Sequence, residues 1–516
     1  MRRLKKSALS ESRGWIFLCV CFCCWWTYVG QSFLAHNQLN DSDSSYFVYG
    51  GRLLLKGGGL YRDFWDQKPP GIFYQNAMFT ALFGDNFRIW ALVHGLAVLA
   101  SCAGIFLVLR GLLWGGFALL ASVLFCYGFN LNNYLDYGNR PEFALSLLEM
   151  WAILLGLRFV WRGGGRNLFF SGALSALAFW FKPVGMASFL ALGTFLVLAP
   201  RTRRGRDLGL LLGGFFSVLV CISAFFAARG LLGEIIKASL LVPLSLGAEG
   251  AQSYAGAATE ALKAYGPLWG LFIPLPFVLC FLKLSPPQER RQMGYLCLVF
   301  LASLAGVLIQ KKGHPHYYLQ GVGPLVLLSV GGLRLVSEKL SGRVPARIFV
   351  HLFLLGFLLL TRWSAWRQWR YHEALDAGFQ DRLPYAELAD WLKARLEPGE
   401  KIYYWSQGFQ PYLLTGTSSP GRLSPLFLVH GDGGAELVLR DLGRVAAAPV
   451  RFLIEQEGEE EHPLFFARYG SPSLMQQRVL ERYRDYRRSA FARLEPPPVS
   501  GFAVYQRRKP GQSLSP

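Results

Sequence analysis

About eleven apolar stretches, most of them near 20 residues long, follow one another along the chain. They lie near 14–34, 88–109, 112–129, 141–161, 167–181, 184–200, 207–229, 265–282, 293–310, 317–336 and 347–364. A run of that length matches the hydrocarbon core of a bilayer. In lipid the backbone must satisfy its own hydrogen bonds, so each such run is expected to be a helix. The fifth and sixth runs are short and glycines interrupt the third. Of the 516 residues 52% are hydrophobic and only 17% charged, too few charges to coat one soluble core. MRRLKK ahead of Trp15–Leu34 has the outline of a signal peptide but no clear small-residue cleavage site, so the run is expected to stay as the first span.

The net charge is +20. Its distribution argues against nucleic acid as a partner, because the basic residues fall in short runs between apolar stretches. With the N-terminus inside, the inside segments hold roughly 19 Lys and Arg in roughly 50 residues, against roughly 11 in roughly 110 outside. Segments 35–87, 129–140, 230–264 and 311–316 then lie outside, and an odd number of spans puts the tail outside too. The expected fold is mainly α: a polytopic membrane protein of about 11 transmembrane helices, with interfacial helices in the first outer loop and a C-terminal soluble α/β domain. The expected domains are 1–364 and 365–516. In the tail, Tyr385–Leu396 has helical periodicity and Pro398-Gly399 ends it, while 401–405, 450–454 and 502–506 read as strands.

The nine cysteines all lie in apolar stretches, so no disulfide framework is expected. Cys19, Cys21, Cys23 and Cys24 have no His or carboxylate among them, which disfavours a metal site. No GxGxxG or Walker-type loop is present. The loop 35–87 is too long for a simple connector. It holds two amphipathic stretches, Ser44–Leu55 and Pro69–Phe83, preceded by Asp41 and Asp43 and by Asp63, Asp66 and Lys68. Asp43 reads as a helix N-cap or as a reactive carboxylate, and Lys68 as a snorkelling lysine or a phosphate ligand. The second outer loop offers Asp136, Arg140 and Glu142, the last either a favourable charge at a helix N-terminus or a site acid. Lys182 stands in FWFKPVG between two short spans. Lys311, Lys312, His314, His316, Tyr317, Tyr318 and Gln320 precede the tenth span as an interface belt or a binding set. His314-x-His316 has metal-ligand spacing without an obvious third ligand. Carboxylates and cations gathered on one face suit a lipid-phosphate donor: cations hold the phosphate, and one carboxylate takes the proton of an acceptor hydroxyl. Phosphate leaves without protonation, so the pair of acids a glycosidase needs is not required.

These elements resemble the bacterial members of the GT-C superfamily of integral-membrane glycosyltransferases, above all the protein O-mannosyltransferase-like and lipid A aminoarabinose transferase-like groups. The resemblance rests on Asp43 before SSYFVYGGRLLLKGG, on LYRDFWDQKPPG, on Glu142 in RPEF, on FKP at 181–183, on HPHYYLQ and on LEPGEKIYYW in the tail. It runs from about residue 30 to 420 and thins toward the end. It implies inverting transfer of a hexosyl or pentosyl group from a polyprenyl-phosphate-linked donor to a glycolipid, polysaccharide or protein acceptor at the outer face of a bacterial inner membrane. Asp43 would activate the acceptor and Glu142 shape the site. Lys68 would meet the donor phosphate, and His316, Tyr317 and Gln320 would line the donor cavity, with Arg62, Asp66 and Lys182 as further binding residues. Many relatives carry an Asp-Glu pair where this chain has Asp41-Ser-Asp43-Ser. Either aspartate fits the base; the spacing to Tyr46 favours Asp43. No cofactor or metal is expected; Asp43 and Glu142 would be the first ligands of one. A transporter or lipid flippase would want mid-span charges and broken helices at the midplane, and few such charges are visible. A non-catalytic envelope scaffold gives no reason for the charged first loop.

Overall fold

The computed structural model describes residues 13–37, 42–112, 115–131, 139–199, 204–243, 253–276, 285–310, 314–340, 384–406, 408–424, 431–457, 472–495 and 497–508, with 278, 356, 366 and 370. The expected eleventh span (347–364) and part of the eighth fall outside the described residues, as do Asp41, Asp136, Lys311 and Lys312. The chain divides into two compact units, one of 1–36, 86–229 and 252–375, the other of 37–85, 230–251 and 376–516.

The first unit is helical. Among the described residues, five helices are long and apolar enough to cross a membrane: Phe87–Leu112, Pro141–Arg162, Arg204–Ala227, Pro287–Leu308 and Pro315–Glu338. Ile16–Gln31, Gly115–Phe129 and Pro183–Leu198 are shorter apolar helices. The chain is thus a polytopic membrane protein. Burial sorts the long helices: 94% of the apolar window of Pro315–Glu338 is inside the unit but only 22% of that of Arg204–Ala227. The former is the central post, the latter a peripheral helix with its apolar side chains turned outward. Small residues let backbones touch. A Cβ on Gly172 would collide with the carbonyl of Leu211, and one on Gly214 with that of Phe169. Gly165–Phe179 therefore packs directly on Arg204–Ala227, as helices in lipid do where glycines face each other.

The second unit joins the first loop to the tail. The two amphipathic stretches form the helices Ser42–Leu55 and Gly71–Phe83. They cross closely because a Cβ on Gly51 would stand 2.7 Å from the backbone nitrogen of Ala77. The tail carries a four-stranded sheet of order β1-β2-β4-β3: β1 Lys401–Trp405, β2 Val450–Gln456, β3 Phe491–Arg493 and β4 Phe502–Arg507. β1 and β2 are parallel and β4 is antiparallel to both β2 and β3. The parallel pair requires a long connection, which Gly431–Ala447 supplies as a helix. Pro384–Lys393 forms where the helical periodicity predicts, and Gly399 beyond it takes φ 89°, a conformation that suits glycine. β3 is a three-residue strand with no pattern of its own in the sequence.

The first loop and the tail are interlocked. Tyr46, Tyr49 and Phe64 meet Phe409 at ring-centroid distances of 4.8, 4.6 and 5.7 Å, and Tyr412 joins them. All five rings are buried. Ser45 Oγ accepts the backbone N–H of Phe409 (3.0 Å), Tyr49 Oη that of Ser419 (2.8 Å), and Arg52 donates to the Leu413 carbonyl (2.9 Å). Rings packed edge-to-face contribute about 0.5–1.5 kcal/mol each beyond their buried area.

Candidate active site

In the second unit the structure gathers Asp43, Asp66 and Lys68 around one loop. Asp43 is in the first turn of Ser42–Leu55, partly buried, where a carboxylate is favoured by the helix N-terminus. Asp66 is buried; its Oδ1 accepts the backbone N–H of Lys68 at 2.7 Å and stands 3.9 Å from the Lys68 ammonium. Burial pushes the Asp66 carboxyl above its ordinary range. Lys68 opposes that shift, and nearby Asp43 adds to it. Lys68 Nζ sits 4.9 Å from the centre of the Phe47 ring, within cation–π range. Two tyrosine hydroxyls fix the loop's path: Tyr46 donates to the Trp65 carbonyl (2.6 Å) and Tyr61 to that of Lys68 (2.7 Å). Tyr61 itself has φ 67°, a left-handed conformation that a bulky side chain rarely adopts. Such outliers persist where the surroundings hold them, and they cluster at functional sites. Arg62 stands on the surface and pairs with Asp63 at 2.9 Å, which holds the Asp63 carboxyl below its usual range.

The tail grips the same loop. The Trp65 N–H donates to the carbonyl of Arg422 (2.9 Å). Asp441, buried on Gly431–Ala447, accepts the N–H groups of Arg422 and Leu423 at 2.9 and 3.0 Å. Nothing in the sequence singles out Asp441, which looks like one more helix acid.

In the first unit a second group forms. Glu142 lies in the first turn of Pro141–Arg162, where a carboxylate is favoured by the helix N-terminus. Its Oε1 accepts from Lys182 Nζ at 2.6 Å, with side chains 4% and 15% exposed; among the described residues Oε2 has no hydrogen-bond partner. Lys182 Nζ is also 3.4 Å from the centre of the Tyr317 ring. His316 packs edge-on to Tyr317 at 4.7 Å, stacks on His314, and is within electrostatic reach of Glu142. Gln320 donates to the carbonyl of Val184 at 2.9 Å. Glu142, Lys182, His316 and Tyr317, drawn from three separate stretches of sequence, are thus assembled, and Gln320 fastens the chain beside Lys182. Sequence reading missed Glu149, a second buried acid on the same helix. Its signal was a lone acid seven residues after Glu142 within an apolar run. Among the described residues no three His, Cys, Asp or Glu side chains are grouped to hold a metal.

Residues 67–227 match the family model described as dolichyl-phosphate-mannose-protein mannosyltransferase. No curated protein matches the chain. Among solved structures, ArnT from Cupriavidus metallidurans bound to undecaprenyl phosphate superposes with TM-score 0.59 at 14% identity, over 95% of this chain and 98% of that one. The apo oligosaccharyltransferase of Archaeoglobus fulgidus gives TM-score 0.54 at 12% identity, over 98% and 76%. The archaeal oligosaccharyltransferase AglB from the same organism, in complex with an inhibitory peptide and a dolichol-phosphate, gives 0.50 at 11%, over 96% and 75%. The chain shares its fold with ArnT and the archaeal oligosaccharyltransferase, and 67–227 resembles the mannosyltransferase family.

Proposed function

We propose that this chain is an integral-membrane glycosyltransferase that moves a sugar from a polyprenyl-phosphate donor to an acceptor hydroxyl, with inversion. The observation that carries this reading is the likeness over almost the whole of both chains to ArnT bound to undecaprenyl phosphate. The reaction is one displacement at the sugar's anomeric carbon. The acceptor oxygen bonds to that carbon, the bond to the phosphate oxygen breaks, and the hydroxyl proton passes to a carboxylate. In the first-loop unit Asp43 is that carboxylate and Lys68 is a cation for the phosphate. Asp66 holds Lys68 through the loop's own backbone, and Arg62 is an outlying cation. In the helical unit Lys182 is the phosphate cation, aimed by Glu142 and Tyr317, with His316 and Gln320 lining the donor cavity. Fixed cations of this kind stabilise a leaving phosphate without supplying a proton. The positive-inside pattern supports a cytoplasmic N-terminus with the tail outside, and the resemblance implies a bacterial inner membrane. The acceptor class, be it glycolipid, polysaccharide or protein, is set by cavity shape.

Purified protein should carry a polyprenyl phosphate, read by mass spectrometry of the extracted lipid. It should also transfer the sugar of a synthetic polyprenyl-phosphate glycoside to an envelope-derived acceptor. Neither lipid nor transfer, in protein that is folded and membrane-inserted, refutes the reading. Lys68→Ala should raise the KM for the lipid donor about tenfold and change kcat less, since a charge-assisted hydrogen bond contributes about 1.5–3 kcal/mol. An unchanged dependence on donor concentration removes Lys68 from the phosphate site.

A further inference from the structure

We propose that Glu149 is a positioning residue for Lys182: it locks the break between two short helices on which Lys182 is carried. The proposal rests on the reading of Lys182 as a phosphate cation. Seven residues after Glu142, Glu149 returns to nearly the same face of Pro141–Arg162. Its side chain is buried in a candidate membrane span, where an acid without a task is costly to retain. Oε1 accepts the backbone N–H of Ser188 at 3.3 Å. Ser188 is in the first turn of Ala187–Leu198, whose leading N–H groups have no partner within the helix. Glu149 therefore caps that helix from across the interface, its carboxyl oxygen accepting an N–H that the helix leaves without a partner of its own.

The break itself runs from the end of Gly165–Phe179, through Lys182 and the 3-10 turn Pro183–Met186, to Ala187. It is held at three points. Glu142 takes the Lys182 ammonium at its start, Gln320 donates to the Val184 carbonyl in its middle, and Glu149 takes the Ser188 N–H at its end. The Gln320 carboxamide lies beside the Glu149 carboxylate, so the second and third ties share a neighbour. Gly185 presses the break against the preceding helix: a Cβ there would stand 2.6 Å from the backbone carbonyl of Ala178. The backbone of the break has no room to shift inward. Its outward freedom is what Glu149 and Gln320 remove. A lysine on a loose connection would divide its ammonium among several positions, whereas a fixed one offers it preorganised to an anion.

The test compares Glu149→Ala and Glu149→Gln, each alone and in a background lacking the Lys182 charge (Lys182→Met with Glu142→Gln). Affinity for polyprenyl phosphate in detergent is read by competition, and exchange of the 182–188 amides by mass spectrometry. Glu149→Ala should weaken binding about tenfold when Lys182 is present and have no further effect in the charge-free background. Glu149→Gln keeps the acceptor and should bind within about twofold of the parent. The 182–188 amides should exchange faster in Glu149→Ala than in the parent. Equal losses in both backgrounds would show a general structural role and overturn the proposal, as would unchanged exchange. If instead the charge-free background binds polyprenyl phosphate like the parent, the phosphate role of Lys182 fails. The exchange measurement still decides whether Glu149 fixes the break.

Discussion

Asp43→Asn should lower kcat for sugar transfer by about 10²–10⁴-fold, the range that a positioned general base contributes. The substitution keeps the size of the side chain and a hydrogen-bond acceptor at the first turn of Ser42–Leu55. It removes the one property that the proposed step uses, a basic oxygen. Folding should be nearly unaffected, because Asp43 is only partly buried and the loop's path is set by Tyr46, Tyr61 and Asp66. The KM for the donor should stay close to that of the parent. Transfer assays at saturating donor, with a thermal melt as the folding control, separate these effects. Full activity in Asp43→Asn would remove this residue from the chemistry, and Asp41 would be the next to replace.

Removing the Lys182 charge alone should damage both stability and donor binding, while removing it together with the Glu142 charge should damage binding alone. Lys182 and Glu142 form a buried pair, with Nζ to Oε1 2.6 Å. Taking away one partner of such a pair leaves an uncompensated buried charge and costs about 3–5 kcal/mol. Neutralising both with groups of similar volume is often close to neutral for stability. Lys182→Met should thus melt well below the parent, and Lys182→Met with Glu142→Gln should recover most of that loss. If the pair only holds helices together, the double variant regains activity with stability. If Lys182 serves the phosphate, activity and lipid binding stay low in the stable double variant.

The parts of the molecule that were legible in the sequence are those where local pattern and environment agree. Ser42–Leu55 and Gly71–Phe83 form within two residues of the expected boundaries, because glycine and proline punctuate apolar faces there. β1 matches the run KIYYW to the residue, since alternating bulky side chains between a Gly turn and a loop have few other solutions. Glu142, Lys182, His316 and Tyr317 could be named as candidates because charges at the ends of apolar runs stand out. Their pairing could not, because it depends on which helices neighbour each other across about 40 and 135 residues of chain. Glu149 stayed hidden for the opposite reason. One acid in a long apolar run barely changes its hydropathy, and only packing shows that it meets the Ser188 N–H. The grip of Asp441 on 422–423 is likewise a tertiary fact, since helix acids are common and most face water.

The pairing of the first loop with the tail also orders events during synthesis. The helix that carries Tyr46 and Tyr49 leaves the ribosome within the first fifth of the chain, but Phe409, Tyr412 and Ser419 are made only in the last quarter. Until then Tyr46, Tyr49 and Phe64 lack the cover of Phe409 and Tyr412, and exposed apolar surface of this kind is what drives misassembly in slowly completed chains. A chain that stops short of residue 409 keeps the first loop but lacks the rings of Phe409 and Tyr412 that pack on Tyr46, Tyr49 and Phe64, so this unit is finished only when nearly the whole protein is.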